Sequence, residues 1–184
     1  FAEKKTAELQ QWVTHTYLVL HTSEAFLGHL KDAETGQRGF LLTGQAEYLE
    51  PYDVGTENAR TEFETLTNLT RDNAEQQARL ATIEVSIADK LSELAQTIAL
   101  AQTGMPDRAL AIVKSDKGKQ VMDVIRNCIL EFEVEERRLL AARMGDYKAE
   151  QARTRVMIAL EALSLLSLIA IIAFVIQRTL IAPI

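Results

Sequence analysis

The sequence contains a single cysteine, Cys128, so no disulfide can form within the chain. Three prolines and eight glycines among 184 residues leave few obligatory breaks in the backbone. Alanine, leucine, glutamate and glutamine are abundant, and this composition favours an all-helical protein. Positive charge is also scarce, because 20 lysines and arginines face 26 aspartates and glutamates and leave a formal net charge of -6. A nucleic-acid partner is therefore not expected.

Motifs for catalysis or cofactor binding are missing as well. The sequence has no Ser-His-Asp set, no glycine-rich phosphate loop and no cluster of cysteine and histidine ligands. His15 and His29 lie in one predicted helix, about 21 Å apart at the rise of an α-helix, which is too far for a shared metal ion. We therefore expect neither enzymatic activity nor a cofactor or metal in this segment, and we interpret Cys128 as a small core or interface residue.

One segment differs in composition from the rest of the chain. Residues 156–176 are almost entirely apolar and carry one charge, Glu161. As a helix this segment is about 32 Å long, close to the hydrocarbon thickness of a bilayer. It is predicted to be a transmembrane helix rather than a buried helix of a soluble protein. Glu161 lies about one turn inside it, where its carboxylate either reaches the membrane interface or contacts another helix.

Apolar residues recur three and four positions apart in four long segments. These segments predict helices over residues 4–42, 46–71, 74–102 and from 119 into the membrane segment. A short turn is expected before Pro51, a short helix over 107–114, and an asparagine or aspartate cap at 72–73. Long helices joined by short turns predict an antiparallel four-helix bundle whose last helix runs without interruption into the transmembrane helix.

The first and last predicted helices are longer than the middle pair, so only they can reach the membrane. Two helices alone bury little apolar surface, and a parallel homodimer would supply the missing partners. The apolar residues expected in this dimeric stalk are Leu9, Trp12, Leu140, Met144 and Tyr147. Helical periodicity already runs at Phe1, which is not a methionine, so we expect a piece of a longer protein. An even number of helices returns the chain to its starting end, so Phe1 is expected near the membrane, after an upstream transmembrane helix.

Residues 32–44, D-A-E-T-G-Q-R-G-F-L-L-T-G, combine helix-breaking glycines with an ion pair. Each glycine inside a helix costs about 1 kcal/mol relative to alanine, which close packing or a binding site must offset. We group Gly36, Gly39 and Gly44 as close-packing glycines, and Gly44 also suits a left-handed helix end. Glu34 and Arg38 lie one turn apart in the favourable order.

Two interpretations remain open for the polar residues of that stretch, Glu34, Thr35, Gln37 and Arg38. They form either a ligand pocket or a buried polar cluster that fixes the register of the helices, and we favour the second. In a structural cluster, Arg38→Ala should lower thermal stability sharply. In a ligand site, the same variant should fold and lose its response. The charged run 133–138 is interpreted as an exposed, salt-bridged face.

The run 32–52, D-A-E-T-G-Q-R-G-F-L-L-T-G-Q-A-E-Y-L-E-P-Y, resembles the signature of the third class of CHASE sensor domains. The stretch 110–144, with V-K-S-D-K-G-K and E-E-R-R-L-L-A-A-R-M, is similar to the later half of that family. The resemblance covers nearly all of residues 1–155. It implies an extracytoplasmic helical-bundle sensor held between two transmembrane helices of a bacterial receptor.

The resemblance also implies a cytoplasmic output domain in the same chain, most often a histidine kinase and otherwise a nucleotide cyclase or chemoreceptor. The expected organisation is a sensor domain over 1–155, a transmembrane helix over 156–176 and the start of a cytoplasmic linker, similar to a HAMP entry, over 177–184. The expected partners are a second copy of the chain, the lipid bilayer and a small-molecule ligand of unknown identity. A passive dimerisation or spacer module is the competing interpretation.

Membrane orientation is a point of conflict between charge and resemblance. Four basic residues precede the predicted span, whereas only Arg178 follows it; they are Arg143, Lys148, Arg153 and Arg155. The positive-inside rule alone would place the bundle in the cytoplasm. We expect the inner membrane with the bundle in the periplasm or outside the cell, because the first transmembrane helix usually dominates orientation. A reporter fusion at Gly44 would decide between the two.

Overall fold

The computed structural model describes residues 2–178, and no strand occurs within them. Its helices are α1 Ala2–Thr43, a 3-10 turn Ala46–Leu49, α2 Glu50–Leu69, α3 Ala74–Gln102, α4 Pro106–Lys114 and α5 Lys117–Ile176. The all-helical prediction is confirmed, including a last helix that is unbroken over 60 residues. The chain divides into a larger unit, residues 10–140, and a smaller unit, residues 1–9 with 141–184.

Local sequence signals explain where the helices begin and end. Asn73 precedes α3, and its side-chain oxygen accepts hydrogen bonds from the backbone nitrogens of Glu75 and Gln76, each at 3.2 Å. Pro51 lies in the first turn of α2, where no intrahelical donor is lost. Gly44 has a φ of 72°, and its N–H donates to the Phe40 carbonyl at 2.8 Å, which closes α1 with a left-handed residue.

Contacts of α2 in the larger unit show that it runs antiparallel to both of its neighbours. Gly36 of α1 lies against the Tyr52 backbone, and Gly55 of α2 lies against Ala33, so residue numbers rise in opposite directions. At the other end of α2, the Gln77 side-chain amide of α3 donates to the Thr67 carbonyl at 2.9 Å. Consecutive helices therefore fold back on each other.

Contacts between α1, α3 and α5 complete the topology. Gln76, at the start of α3, donates to the Glu136 carboxylate of α5 at 2.8 Å, while Gly118, at the start of α5, lies against Glu93. These two helices are therefore antiparallel. Lys90 contacts Glu34 and Thr97 contacts Gln37, so residue numbers rise in the same direction and α1 runs parallel to α3. The larger unit is the predicted up-down-up-down bundle of α1, α2, α3 and α5, with α4 as a short helical connector.

All four long helices contribute to one hydrophobic core in the larger unit. Fully or nearly fully buried members are Val19, Phe26, Leu30, Ala33, Ala59, Leu66, Leu80, Ile83, Leu94, Met122, Ile125, Ile129 and Phe132. The rings of Phe26 and Phe63 lie 5.7 Å apart between α1 and α2. The apolar stripe read from the sequence of α1 thus faces the bundle, and it carries polar residues into the interior with it.

The smaller unit contains the beginning of α1 and the later part of α5. Lys5 Nζ lies 3.5 Å from Glu150 Oε1 in this unit. Residues 156–176 are exposed throughout, and a window within α5 reaches a mean hydropathy of 2.6, so the helix is long and apolar enough to cross a membrane. The predicted linker begins at 177, and its residues 179–184 lie outside the described part of the chain.

Candidate functional site

A buried lysine is at the centre of the polar cluster in the larger unit. Lys90 of α3 is 1% exposed, and its ammonium lies 3.1 Å from Glu34 Oε1 of α1 and 3.1 Å from Glu93 Oε2. The Arg38 guanidinium donates to the same Glu34 oxygen at 2.8 Å. Two cations therefore face two carboxylates, so the formal charges within the cluster balance, as a group of buried charges requires.

Gln37 continues the cluster toward the carboxyl end of α1, one turn beyond Glu34. It is 2% exposed, and its side-chain amide donates to Thr97 Oγ1 at 2.7 Å. The Thr97 hydroxyl in turn donates to the Leu94 carbonyl at 2.9 Å. These hydrogen bonds join α1 to α3, so this part of the cluster fixes the register of the two helices.

The four polar residues singled out from the sequence do not all meet. Glu34 and Gln37 face the bundle interior, while Arg38 lies at its rim with 58% of its side chain exposed. Thr35 is exposed and donates to the Lys31 carbonyl at 2.8 Å, within its own helix turn. Thr35 therefore takes no part in the cluster, because it lies on the opposite face of α1.

The glycines of the same stretch have different surroundings. A Cβ on Gly36 would lie 2.5 Å from the Tyr52 backbone nitrogen, and one on Gly39 would lie 2.6 Å from the Tyr48 ring. Gly44 differs from the sequence prediction, since no heavy atom lies within 4 Å of a Cβ at that position and its φ is 72°. Glycine at this position therefore permits the left-handed conformation that ends the helix, and it is not required for close packing.

A cavity of about 310 Å³ lies beside the cluster and extends to the start of α5. Glu34, Arg38 and Glu93 line one part of it, and Gly118 and Lys119 of α5 line another. A Cβ on Gly118 would lie 2.5 Å from Glu93 Oε2, so this carboxylate approaches the amino end of α5 closely. Negative charge near a helix amino terminus is stabilising, and the cluster is thereby linked to α5.

Further polar contacts link α5 to α1 and to α3, on the side of the cluster away from Gly44. Ser23 Oγ lies 2.7 Å from Glu133 Oε1, and Gln76 donates to Glu136 Oε1 at 2.8 Å and to the Phe132 carbonyl at 3.0 Å. Glu136 is 4% exposed. The prediction that 133–138 forms an exposed, salt-bridged face is therefore wrong for Glu136, because one face of this α5 turn packs against α3.

The same run also contains an ion pair. The Arg138 guanidinium donates to both Glu135 oxygens, at 2.7 and 2.6 Å. These hydrogen bonds, helped by the positive charge of Arg138, hold the pKa of Glu135 below its ordinary value. The run therefore contains a one-turn ion pair of the kind that its charge pattern predicts, although only 14% of the Glu135 side chain is exposed, against 64% for Arg138.

Three residues could not be assigned from the sequence: Lys90 and Glu93 of the cluster, and Gly55, at which α2 packs closely against α1. Lys90 occupies an apolar-stripe position of α3, four before Leu94, and a charge at such a position was the available signal. Gly55 lies against the His29 carbonyl and the Ala33 nitrogen, with a Cβ distance of 2.6 Å to the former. No helix-face pattern in α2 identifies that approach, since it depends on the backbone of α1.

The residues predicted for a dimeric stalk are only partly covered within one chain. Leu9, Leu140 and Tyr147 are half-buried, and Trp12 and Met144 are 37% and 38% exposed. Two of these residues have contacts within their own helix. The Trp12 ring makes an edge-to-face contact with His15, and the Gln151 amide donates to the Tyr147 hydroxyl at 2.6 Å. Their role in dimerisation stays a prediction.

Glu161 lies in the exposed apolar part of α5. Its backbone carbonyl accepts a hydrogen bond from Ser164 Oγ at 2.8 Å, and its side chain is exposed. Both interpretations of its carboxylate, reach to the membrane interface and contact with another helix, stay predictions. Among the side chains that the structure describes, no three His, Cys, Asp or Glu residues converge where a metal ion would bind.

Comparisons with known proteins place this geometry in context. A family model described as the CHASE3 domain matches residues 9–146. None of the curated proteins matches the chain. Among solved structures, the sensor domain of the Rhodopseudomonas palustris histidine kinase HK9 is similar, with a TM-score of 0.63 and 23% sequence identity. The similarity covers 67% of this chain and 97% of that one, and it shows a shared fold.

Proposed function

This chain belongs to the CHASE3 domain family, and from that membership we propose that it is the extracytoplasmic sensor and transmembrane signalling part of a bacterial receptor. The observation that carries the proposal is the family match over 9–146, followed in the same helix by an exposed apolar stretch of membrane-spanning length. We further propose a histidine kinase as the output domain. The similarity to the HK9 sensor domain supports that choice over a nucleotide cyclase or a chemoreceptor.

The proposed organisation follows the sequence. Residues 1–155 form the sensor domain, 156–176 the transmembrane helix and 177–184 the start of a cytoplasmic linker. The bundle lies in the periplasm or outside the cell, and the inner membrane holds 156–176. Catalysis is assigned to the output domain.

Signal transmission is proposed to pass through α5. Its amino end meets Glu93, its middle is hydrogen-bonded to Ser23 and Gln76, and its later part enters the membrane. A stimulus that alters how α5 packs against α1 and α3 would shift or rotate this helix slightly. Such a small displacement biases a two-state output only if one packing is favoured by the stimulus.

Deleting residues 10–140 from the full-length receptor tests the sensor role. Membrane vesicles are prepared from cells grown under different conditions, and autophosphorylation is measured in each. We expect the rate to become independent of the growth condition, because the unit that biases α5 is removed. The control keeps the unit and carries Arg126→Ala, an exposed position on α5 paired only with Asp123 of its own turn. Unchanged regulation after the deletion would show a passive spacer instead.

A parallel homodimer is proposed for the membrane-proximal stalk. In a Cys128→Ala background, single cysteines at Leu9 or Met144 should form disulfide-linked dimers when membranes are oxidised, because a two-fold axis along the stalk brings equivalent positions together. A cysteine at Leu42, which is 85% exposed in the larger unit, is the matched control and should stay monomeric. Equal cross-linking at all three positions, or at none, would contradict the stalk dimer.

A further inference from the structure

A second, larger cavity lies between α2 and α3, away from the polar cluster. Its volume is about 710 Å³, and we call it the α2–α3 groove. Its walls are residues 52–67 of α2 and 84–95 of α3. Pockets that bind small molecules measure roughly 300–1,000 Å³, so the groove has the size of a ligand site.

Apolar side chains line the middle of the groove. Phe63 of α2 faces it together with Ile87 and Leu91 of α3, and small residues, Ala88 and Ala95, leave the space open. Phe63 also packs against Phe26 of the core, which holds its ring in place. An apolar molecule in the groove would therefore bury its surface against side chains that are already ordered.

One hydroxyl in the groove lacks the hydrogen bond that its neighbours make. Thr61, Thr65 and Thr67 of α2 each donate to the carbonyl four residues earlier, at 3.2, 2.9 and 3.0 Å. Thr56 lines the groove, and its buried Oγ1 has no hydrogen-bond partner among the described residues. A buried polar atom without a partner is costly, and rotation about the Thr56 Cα–Cβ bond would turn this hydroxyl toward the groove, where a bound molecule could satisfy it.

Thr56 belongs to a row of hydrogen-bond donors. Tyr52 and Arg60 lie one turn before and one turn after it on α2, and all three side chains line the groove. Burial raises the pKa of the Tyr52 phenol, with Asp53 adding to the rise and Arg60 opposing it, so the phenol remains a donor. Within the described part of the chain, Arg60 has no ion-pair partner within 4.0 Å.

The two ends of the groove differ in chemistry. Because α2 and α3 are antiparallel, Tyr52 and Thr56 lie at the same end as Ser92, and Glu64 and Glu84 lie toward the other end. Arg60 lies between the two ends, one turn from Thr56 and one turn from Glu64. Hydroxyl donors at one end would receive an oxygen acceptor. Carboxylates at the other end would repel an anionic group, so an asymmetric ligand has one favoured orientation.

We propose that the α2–α3 groove binds a small amphipathic molecule with an apolar body and a carboxylate or carbonyl head group. The head accepts hydrogen bonds from Thr56, Tyr52 and Arg60, and the body lies against Phe63, Ile87 and Leu91. Binding rests on the geometry of the groove alone. The identification of this ligand as the stimulus rests on the proposed receptor function.

Fluorine NMR of the full chain in lipid nanodiscs tests the binding directly. The probes are a ring-fluorinated phenylpropanoate, its amide and the corresponding primary amine, with empty nanodiscs as the blank. We expect saturable line broadening with the carboxylate or the amide and none with the amine, since only the first two have an acceptor oxygen. The comparison of carboxylate with amide distinguishes an anionic from a neutral head group.

Two variants locate the site. Thr56→Val should weaken binding roughly tenfold, the usual effect of one lost hydrogen bond to a ligand, and should leave the unfolding midpoint unchanged or raised. Thr61→Val, at an exposed position of the same helix, is the matched control and should bind normally. Ala88→Phe should fill the groove from α3 and abolish binding.

The proposal is overturned if folded protein shows no saturable effect with either acceptor probe, if the amine binds equally well, or if Thr56→Val and Thr61→Val behave alike. Because Thr56→Val is isosteric, it keeps the test decisive even if Ala88→Phe fails to fold. No kinase output is measured. A failed binding experiment therefore leaves the receptor proposal standing, and a failed receptor experiment leaves the binding result standing.

Discussion

Replacing Lys90 by methionine is expected to lower the free energy of unfolding by about 3–5 kcal/mol, the usual cost of removing one partner from a buried ion pair. The Lys90 ammonium is shared by Glu34 and Glu93, whose side chains are only 12% and 10% exposed. Without it, Glu34 keeps Arg38 as a partner, but Glu93 loses its cation. Thermal unfolding should show a midpoint lowered by roughly 6–20 °C.

The matched control for Lys90→Met is Arg38→Met, which removes the other cation that contacts Glu34. Because 58% of the Arg38 side chain is exposed, its loss should cost about 1 kcal/mol or less. A compensated variant, Lys90→Met with Glu34→Gln and Glu93→Gln, should recover most of the lost stability, since no buried charge is left unpaired. Arg38→Met proving as costly as Lys90→Met would contradict this assignment.

From the sequence alone, Arg38→Ala is expected to lower thermal stability sharply if the cluster is structural. The structure changes that expectation. The structure gives Glu34 a second, fully buried cation, so the stabilising role moves from Arg38 to Lys90. Arg38 remains at the rim of the smaller cavity, where its guanidinium is accessible. A weak effect of Arg38→Ala on stability therefore no longer separates a structural cluster from a ligand site.

Gly36→Ala is expected to destabilise the bundle by about 2 kcal/mol or more. At an unobstructed helix position the same change would instead stabilise by about 1 kcal/mol. The new Cβ would lie 2.5 Å from the Tyr52 nitrogen, 3.0 Å from the Tyr48 carbonyl oxygen and 3.2 Å from the Pro51 carbonyl carbon. All three are backbone atoms, so no side-chain rotation relieves the clash, and α1 and α2 must separate.

Gly28→Ala is the matched control, because Gly28 also lies in α1 and nothing is within 4 Å of a Cβ there. This variant should raise stability by up to about 1 kcal/mol. Gly39→Ala should fall between the two, since its Cβ meets the Tyr48 ring, a half-exposed side chain that can turn away. Denaturant unfolding of the three variants measures the order, and equal stabilities for Gly36→Ala and Gly28→Ala would refute close packing at Gly36.

Helix positions were predictable from the sequence because their causes are local. The predicted bounds of α3 are those observed, since Asn73 caps its start and Thr103-Gly104 follows its end. The restart at Pro51 and the turn at Gly44 depend on the φ preferences of single residues. The antiparallel topology follows from short connections, and a motif confined to 32–52 was enough to indicate the family.

The candidate sites were only half predictable. Glu34 and Gln37 stood out because they are polar residues on an apolar stripe, and Gly36 because it is a glycine inside a helix. Their partners, Lys90, Thr97 and the Tyr52 backbone, could not be assigned, since Lys90 is 56 residues from Glu34 and Thr97 is 60 from Gln37. The α2–α3 groove left no trace in the sequence, because a cavity is the space that two packed faces fail to fill.

The sequence by itself therefore determined the all-helical class, the helix boundaries, the apolar stripe of each helix and a stretch of membrane-spanning length. Each depends on periodicity, capping or composition over at most a few turns. Only the tertiary structure decided that Lys90 joins α1 to α3, that Glu136 is buried, and that Thr56 faces a groove without a partner. Those facts depend on the rotation and spacing of helices distant in sequence, which side-chain packing fixes.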